Sequence, residues 1–370
     1  MTSQDNNSLI TNEYILDIIK GFAFPGNLKR ENKGLGKIKF GMPLFLRRLV
    51  FSAFNPFYVY YIFSAETKWQ SHVFKNKYIN FSFDFMLYCY THEINFDLNE
   101  FYTQDDQQVV LQYIRNRLKS CFNVPLFNQE LLNDKASPSE IHRKEMETFS
   151  KGTLKNLYWN LAGRKIKIPS MPEHSTWYFN LGLDLVPKSS IDYLRGKAFL
   201  DIGAFWGDTA LKMLELEPGE IWTFEPEENN FQLLSEVISG NNLGGVIKPV
   251  KLGAGSKDST SFISSSGGSS KMDEKGGQKI DLVSIDSFVK EKNLEIGMIK
   301  MDIEGNEYEA ILGAEHTIKT YRPLLIISLY HNGKDFFEIP PLLKSWNENY
   351  NFRFFNAAVA DLNEKLLIVY

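Results

Sequence analysis

Apolar and polar positions follow two different rhythms on either side of residue 165. From Gly196 onward, short apolar runs alternate with helix-length amphipathic segments, and strands are expected at Ala198–Ile202, Ile221–Phe224, Gly245–Leu252, Met298–Met301 and Leu324–Leu329. Such alternation predicts βαβ units and a parallel sheet. After Glu225, Phe231, Leu234 and Ile238 share one helical face, with Glu228, Asn229, Gln232 and Glu236 elsewhere. The serine- and glycine-rich stretch 264–270 reads as a flexible loop. At the end, Phe352–Phe355 and Lys365–Val369, joined through Asp361-Leu362-Asn363-Glu364, read as a β-hairpin.

The earlier part reads as mostly helical between about residues 80 and 165. Ser137-Pro138-Ser139-Glu140 supplies an N-cap, a proline at the first helical position and a glutamate at the third, so a helix is expected from there to about Gly163. Arg164-Lys165-Ile166-Lys167-Ile168 alternates as a strand does, and Pro169 ends it. The expected organisation is a mostly helical N-terminal domain over 1–165 and an α/β domain over 166–370.

Composition narrows the function. With 370 residues, 43% of them hydrophobic, the chain can bury two cores. Its formal net charge of −4 gives no global field for a phosphate backbone, so no nucleic-acid partner is expected. A local bias is hidden in that sum: residues 18–65 hold eight Lys/Arg against the single acid Glu31, beside Phe51, Phe54, Phe57 and Tyr58. That segment is either an aromatic core piece or a peripheral contact with an anionic membrane surface. Cys89 and Cys121 lie far apart, which argues for reduced core thiols rather than a disulfide framework or a zinc site. Met1–Thr11 lacks signal-peptide order and no run of eighteen apolar residues occurs, so the expected location is cytoplasmic.

The chemistry concentrates at expected strand ends. In Asp201-Ile202-Gly203-Ala204-Phe205-Trp206-Gly207-Asp208-Thr209, a buried strand delivers Asp201 to the sheet edge, Gly203 permits a turn, and Gly207 lets the next helix pack closely. Phe205 stands where a dinucleotide site needs a second glycine to admit pyrophosphate. S-adenosylmethionine (SAM) has no phosphate, and its ammonium suits an acid in this turn. Twenty-four residues later, Glu225 ends the next strand in Phe224-Glu225-Pro226, where a carboxylate accepts ribose hydroxyls; alone, it would serve equally as a helix cap. Asp302 and Glu304, two apart after Met298–Met301, would face one side of an extended chain. Orientation of the ligand, general-base work and divalent-cation binding all stay open for them, and two carboxylates alone make an incomplete metal site. His331, after the strand at Leu324–Leu329, is either a structural hydrogen-bonder or a base for a hydroxyl acceptor.

Taken in order, these segments resemble the FkbM-type methyltransferase family. The match extends through Ser284-Ile285-Asp286, Ile299-Lys300-Met301-Asp302-Ile303-Glu304-Gly305-Asn306-Glu307, Leu312-Gly313-Ala314, Ser328-Leu329-Tyr330-His331 and Ile339-Pro340-Pro341. It covers about half the chain and leaves Met1 to about Trp177 outside. The resemblance implies a Rossmann-like class I methyltransferase sheet with a C-terminal β-hairpin, SAM as cofactor, and O-methylation of a sugar, glycan or natural-product hydroxyl. It implies cofactor contacts at Asp201, Gly203, Ala204, Gly207, Asp208, Thr209, Glu225, Pro226 and Asp302, with Ser269, Ser270 and Asp286 lining the site, and catalysis by His331, Asp302 and Glu304. Trp206 departs from the small polar or acidic residue common there, and its bulk bears on the methionine pocket or the acceptor side. The rival readings are an NAD(P)-dependent oxidoreductase or epimerase, which would want the missing glycine and a hydride-site motif, and a non-catalytic scaffold of the same fold.

Overall fold

A computed structural model describes residues 8–23, 77–120, 138–152, 156–266, 269–272, 277–357 and 362–370. The basic and aromatic stretch from 24 to 65, Cys121 and the Gly267-Gly268 pair lie outside those residues. Among the described residues, no helix is long and apolar enough to cross a membrane. The chain divides into two compact units, one of Met1–Leu132, Tyr330–Phe337 and Ala360–Asn363, the other of the remaining residues.

In the first unit, β1 (Leu9–Thr11) pairs antiparallel with β2 (Asn95–Asp97), and the principal helices are Asn12–Ala23, Lys77–Thr91 and Gln104–Ser120. The Asn12 side chain ties them together: its amide donates to the carbonyls of Cys89 and His92, and its oxygen accepts from Ile94 N–H. Rings fill the interior, with Phe85 edge-on to Phe336 and Tyr113 tilted against the same ring. Cys89 is buried, as suits a cysteine in an apolar setting.

The second unit begins with a helix at Pro138–Thr148, starting where the proline signal places it but ending fifteen residues before the expected Gly163. An antiparallel meander replaces the rest: β3 (Phe149–Lys151), β4 (Leu157–Leu161) and β5 (Arg164–Ile168). The reason is a period of two, since Trp159 and Leu161 on β4 and Ile166 and Ile168 on β5 are buried in alternation. Ala162 and Gly163 turn between them with positive φ, a two-residue hairpin that no helix accommodates.

The main sheet holds β6 (Ala198–Ile202), β7 (Glu220–Phe224), β8 (Ile247–Val250), β13 (Ile296–Met301), β14 (Leu324–Ser328), β15 (Phe352–Asn356) and β16 (Lys365–Val369). Their order is β15-β16-β14-β13-β6-β7-β8. The five strands from β8 to β14 are parallel, whereas β16 runs antiparallel between β14 and β15. Every residue of β6, β13 and β14 is buried, as parallel strands covered on both faces must be. Strand order reverses between β6 and β13, and the carboxyl edge at such a switch point is where open α/β sheets bind their ligands.

A smaller sheet contains β9 (Gly253–Ala254), β10 (Ser259–Ser266), β11 (Ser269–Met272) and β12 (Gln278–Val283). The serine-rich stretch is therefore largely strand, not loop: Ser264, Ser265 and Ser266 pair with Lys271, Ser270 and Ser269. Composition misleads there because an antiparallel ladder is held by backbone hydrogen bonds, which serines supply as well as any residue.

Candidate active site

At the carboxyl edge, the turn after β6 is built on positive φ at Gly203 (83°), Phe205 (49°) and Gly207 (92°). A Cβ on Gly203 would meet the Asp302 carbonyl oxygen at 2.0 Å, so this position admits glycine alone. The amides of Gly203 and Ala204 both donate to the Phe224 carbonyl, at 3.0 and 2.9 Å. Asp302 N–H donates to the Ile202 carbonyl at 3.0 Å, so the ends of β6, β7 and β13 are joined by backbone bonds.

Glu225 belongs to that junction. Its Oε2 accepts from Phe205 N–H at 2.9 Å, and its Oε1 from Glu227 N–H at 3.0 Å. Oε1 also accepts from Asn230 Nδ2 at 3.5 Å, whereas Oε2 keeps a further lone pair, through which the carboxylate can accept a ribose hydroxyl. Burial pushes its pKa up to about 7, against the hydrogen bonds from Glu227, Phe205 and Asn230, which favour the charged form. The helix Glu228–Gly240 is capped by Glu227 instead, whose carboxylate accepts from Asn230 N–H at 2.8 Å. That removes capping as the reason for an acid at 225.

Asp201 lies beneath the turn with no exposed surface. Directly across the β6–β13 register stands Lys300, whose Nζ is 3.4 Å from Asp201 Oδ1 and donates to the Gly203 carbonyl at 3.1 Å. Burial pushes the Asp201 pKa up to about 6, with Lys300 pulling it down. Burial also disfavours the Lys300 ammonium, yet Asp201, Asp302 and Asp208 outweigh that and hold its pKa above the usual lysine value. Asp208 opens the short helix Asp208–Met213, is raised by burial, and accepts from Thr176 Oγ1 at 3.2 Å. Thr209 beside it is buried, whereas Pro226 follows Glu225 into the second loop.

The two-apart geometry of Asp302 and Glu304 does not hold. Strand β13 ends at Met301, and residues 302–305 form a turn with Glu304 at φ 58° and Gly305 at φ 102°. Glu307 imposes it: the fully buried carboxylate accepts from Ile303 N–H at 2.8 Å and Gly305 N–H at 2.9 Å. Glu304 therefore does not continue the extended line of Asp302. Asp286 is engaged elsewhere, its oxygens accepting from His316 N–H at 2.9 Å and Thr317 N–H at 2.7 Å at the start of the helix Glu315–Tyr321. Ser270 is part of β11, opposite Ser265. Trp206 is buried in the hydrophobic core, so its bulk is absorbed by packing. His331 belongs to the first unit, buried, with its ring edge-on to Phe81 at 5.2 Å.

Two residues carry more than their sequence context suggests. Lys300 sits inside an otherwise apolar strand, and a lone lysine there was the available signal. Glu364 gives none, because only the fold brings it to its neighbours: burial and then the charge of Asp302 push its pKa up to about 7, with Ser175 hydrogen-bonding to it.

Strand order, the antiparallel strand inserted near one edge, and acids at the ends of successive parallel strands define a class I methyltransferase domain. Residues 201–354 match the family described as methyltransferase FkbM domain, so that part of the chain is an FkbM-type methyltransferase domain. No curated protein matches the chain significantly. The crystal structure of methyltransferase FkbM from Methylobacillus flagellatus KT aligns at 20% identity and TM-score 0.48, covering 74% of this chain and 56% of that one. This chain thus spans little more than half the length of that structure. An rRNA methylase from Streptococcus thermophilus aligns at 9% identity and TM-score 0.33, over 49% of this chain and 90% of its own. The N-terminal domain of human METTL16 aligns at 14% identity and TM-score 0.36, over 65% and 95%.

Proposed function

We propose that the chain is a SAM-dependent O-methyltransferase acting on a hydroxyl of a sugar, glycan or natural product. The observation that carries the cofactor reading is the junction at the switch point, where Asp201, Glu225 and Asp302 stand at the ends of three adjacent parallel strands around a left-handed turn. Its donor set fits SAM: Asp201 and Asp208 offer negative charge for an ammonium, Glu225 accepts ribose hydroxyls, and Gly203, Ala204, Gly207 and Thr209 let backbone approach closely. Phe205 occupies the place where pyrophosphate would need a glycine, which disfavours a dinucleotide.

When bound, SAM supplies an electrophilic methyl on its sulfonium. That methyl would be the electrophile for an acceptor oxygen, so the chain's own task would be alignment of the acceptor and removal of its hydroxyl proton. The base for that proton is Asp302 or, alternatively, His331. Asp302 is fixed by its backbone bond to β6, and His331 follows β14 by three residues. The net charge of −4 favours a small or glycan acceptor over RNA.

Calorimetric titration with SAM, S-adenosylhomocysteine (SAH) and NAD, beside Glu225→Ala, tests the cofactor. Micromolar SAM or SAH binding that the variant loses, with none for NAD, supports it; binding of NAD alone, or of nothing, ends it. Methyl transfer from labelled SAM to mixed saccharides and to total RNA then tests the acceptor class, and labelling of RNA alone would overturn the hydroxyl-sugar reading.

A further inference from the structure

We infer that Lys300 is a positioning residue of the cofactor subsite: from beneath the sheet edge it keeps the Asp201 carboxylate in place and pins the Gly203 carbonyl, so that the left-handed turn holds its course beside the methionine end of the ligand. The inference rests on the SAM reading and names a residue for which that reading has no role. Its basis is a register and two distances. Lys300 and Asp201 are direct partners across β13 and β6, their charges are 3.4 Å apart, and the same ammonium donates to Gly203 O at 3.1 Å.

Stability alone does not explain the lysine. A buried ion pair contributes little net free energy, and an apolar pair of similar volume commonly does as well or better. The rest of β13 is apolar or glycine, so an aliphatic residue at 300 would continue the pattern. What a hydrocarbon cannot do is bond the Gly203 carbonyl while facing three carboxylates, Asp201, Asp208 and Asp302, with Glu364 also in its field. The lysine joins two elements that must hold their spacing: the strand end bearing the acid and the left-handed turn whose backbone approaches the ligand.

The test is SAH titration of the full chain between pH 5 and 8.5 for wild type, Lys300→Met, Asp201→Asn and the double variant, each with a denaturation curve. Loss of one charge-assisted contact predicts about tenfold or greater weakening of SAH binding by K300M at pH 7.5. The low-pH loss of affinity belonging to Asp201, centred near its pKa of about 6, should move upward in K300M and be missing from D201N. If K300M unfolds, the double variant decides by comparison with D201N: it also lacks the bond to the Gly203 carbonyl, so it should bind SAH more weakly than D201N alone. Wild-type affinity and pH profile in K300M, or a double variant that binds SAH as tightly as D201N, would overturn the role. A wild type that binds no SAH would overturn the cofactor reading and this inference together, so the two failures are distinguishable.

Discussion

The amide of Phe205 donates to Glu225 Oε2 at 2.9 Å, tying the left-handed turn after β6 to the acid that ends β7. One carboxylate thus shapes the turn from inside and faces the ligand edge. Glu225→Ala should remove both functions, lowering SAH affinity at least tenfold, whereas Glu225→Gln should keep the chain folded and lose less.

The same residue sets a pH dependence. Its ordinary pKa of 4.5 is raised by burial to about 7, so between those values the folded chain binds more protons than the unfolded one. Stability must then fall as pH rises across that window, by on the order of 3 kcal/mol for this group. Asp201 and Glu364 are shifted in the same direction and add to the slope. Urea midpoints at pH 5, 6, 7 and 8 should decline in wild type and decline less in E225Q. Parallel slopes would show that Glu225 titrates normally.

Two glycines with similar φ separate space from conformation. Gly196, at φ 74°, has nothing within 4 Å of an added Cβ, so Gly196→Ala should cost only the left-handed backbone, about 1–2 kcal/mol. At Gly203 the added carbon would lie 2.0 Å from the Asp302 carbonyl oxygen, and β6 or β13 would have to move. Gly203→Ala should cost about 4 kcal/mol or more and abolish SAH binding. Equal denaturation midpoints for the two variants would contradict the tight junction at the switch point.

Sequence legibility followed the physics of each segment. Strands β6, β13 and β14 could be read because burial on both faces makes them continuous apolar runs ending in an acid or a polar turn. The stretch 149–163 was obscured by a strong helix start at Pro138, which says nothing of where the helix stops, whereas the alternation of Arg164–Ile168 was legible as the strand it is. Asp302 and Glu304 were paired by strand arithmetic that fails once Glu307 folds the chain into a turn. Glu364 was invisible because its neighbours Ser175 and Asp302 are distant in sequence and only the hairpin assembles them.

Asp286 offers a discriminating control. Because its carboxylate accepts from His316 and Thr317 N–H, Asp286→Ala should destabilise the chain by about 1 kcal/mol, as loss of a helix-end acceptor does. SAH affinity should be unchanged within twofold in this variant. A larger loss would return Asp286 to the cofactor site.

Arg117 provides the last prediction. Its side chain is fully buried in the first unit, with Nε donating to Tyr113 OH at 3.1 Å, one terminal nitrogen to Ser82 Oγ at 3.3 Å and the other to the Tyr330 carbonyl. A fixed fork is needed to reach three acceptors in different directions, and a lysine reaches at most part of that set. Arg117→Met leaves those acceptors in an apolar interior and should cost about 3 kcal/mol. The informative variant is Arg117→Lys, which keeps the charge. With His331 as the proposed base, loosening the carbonyl of Tyr330 just before it should lower turnover of the acceptor while SAH affinity stays within twofold. Full turnover in a folded R117K would show that His331 does not depend on this anchor, and a fall in SAH affinity with unchanged turnover would show that the anchor serves cofactor binding instead.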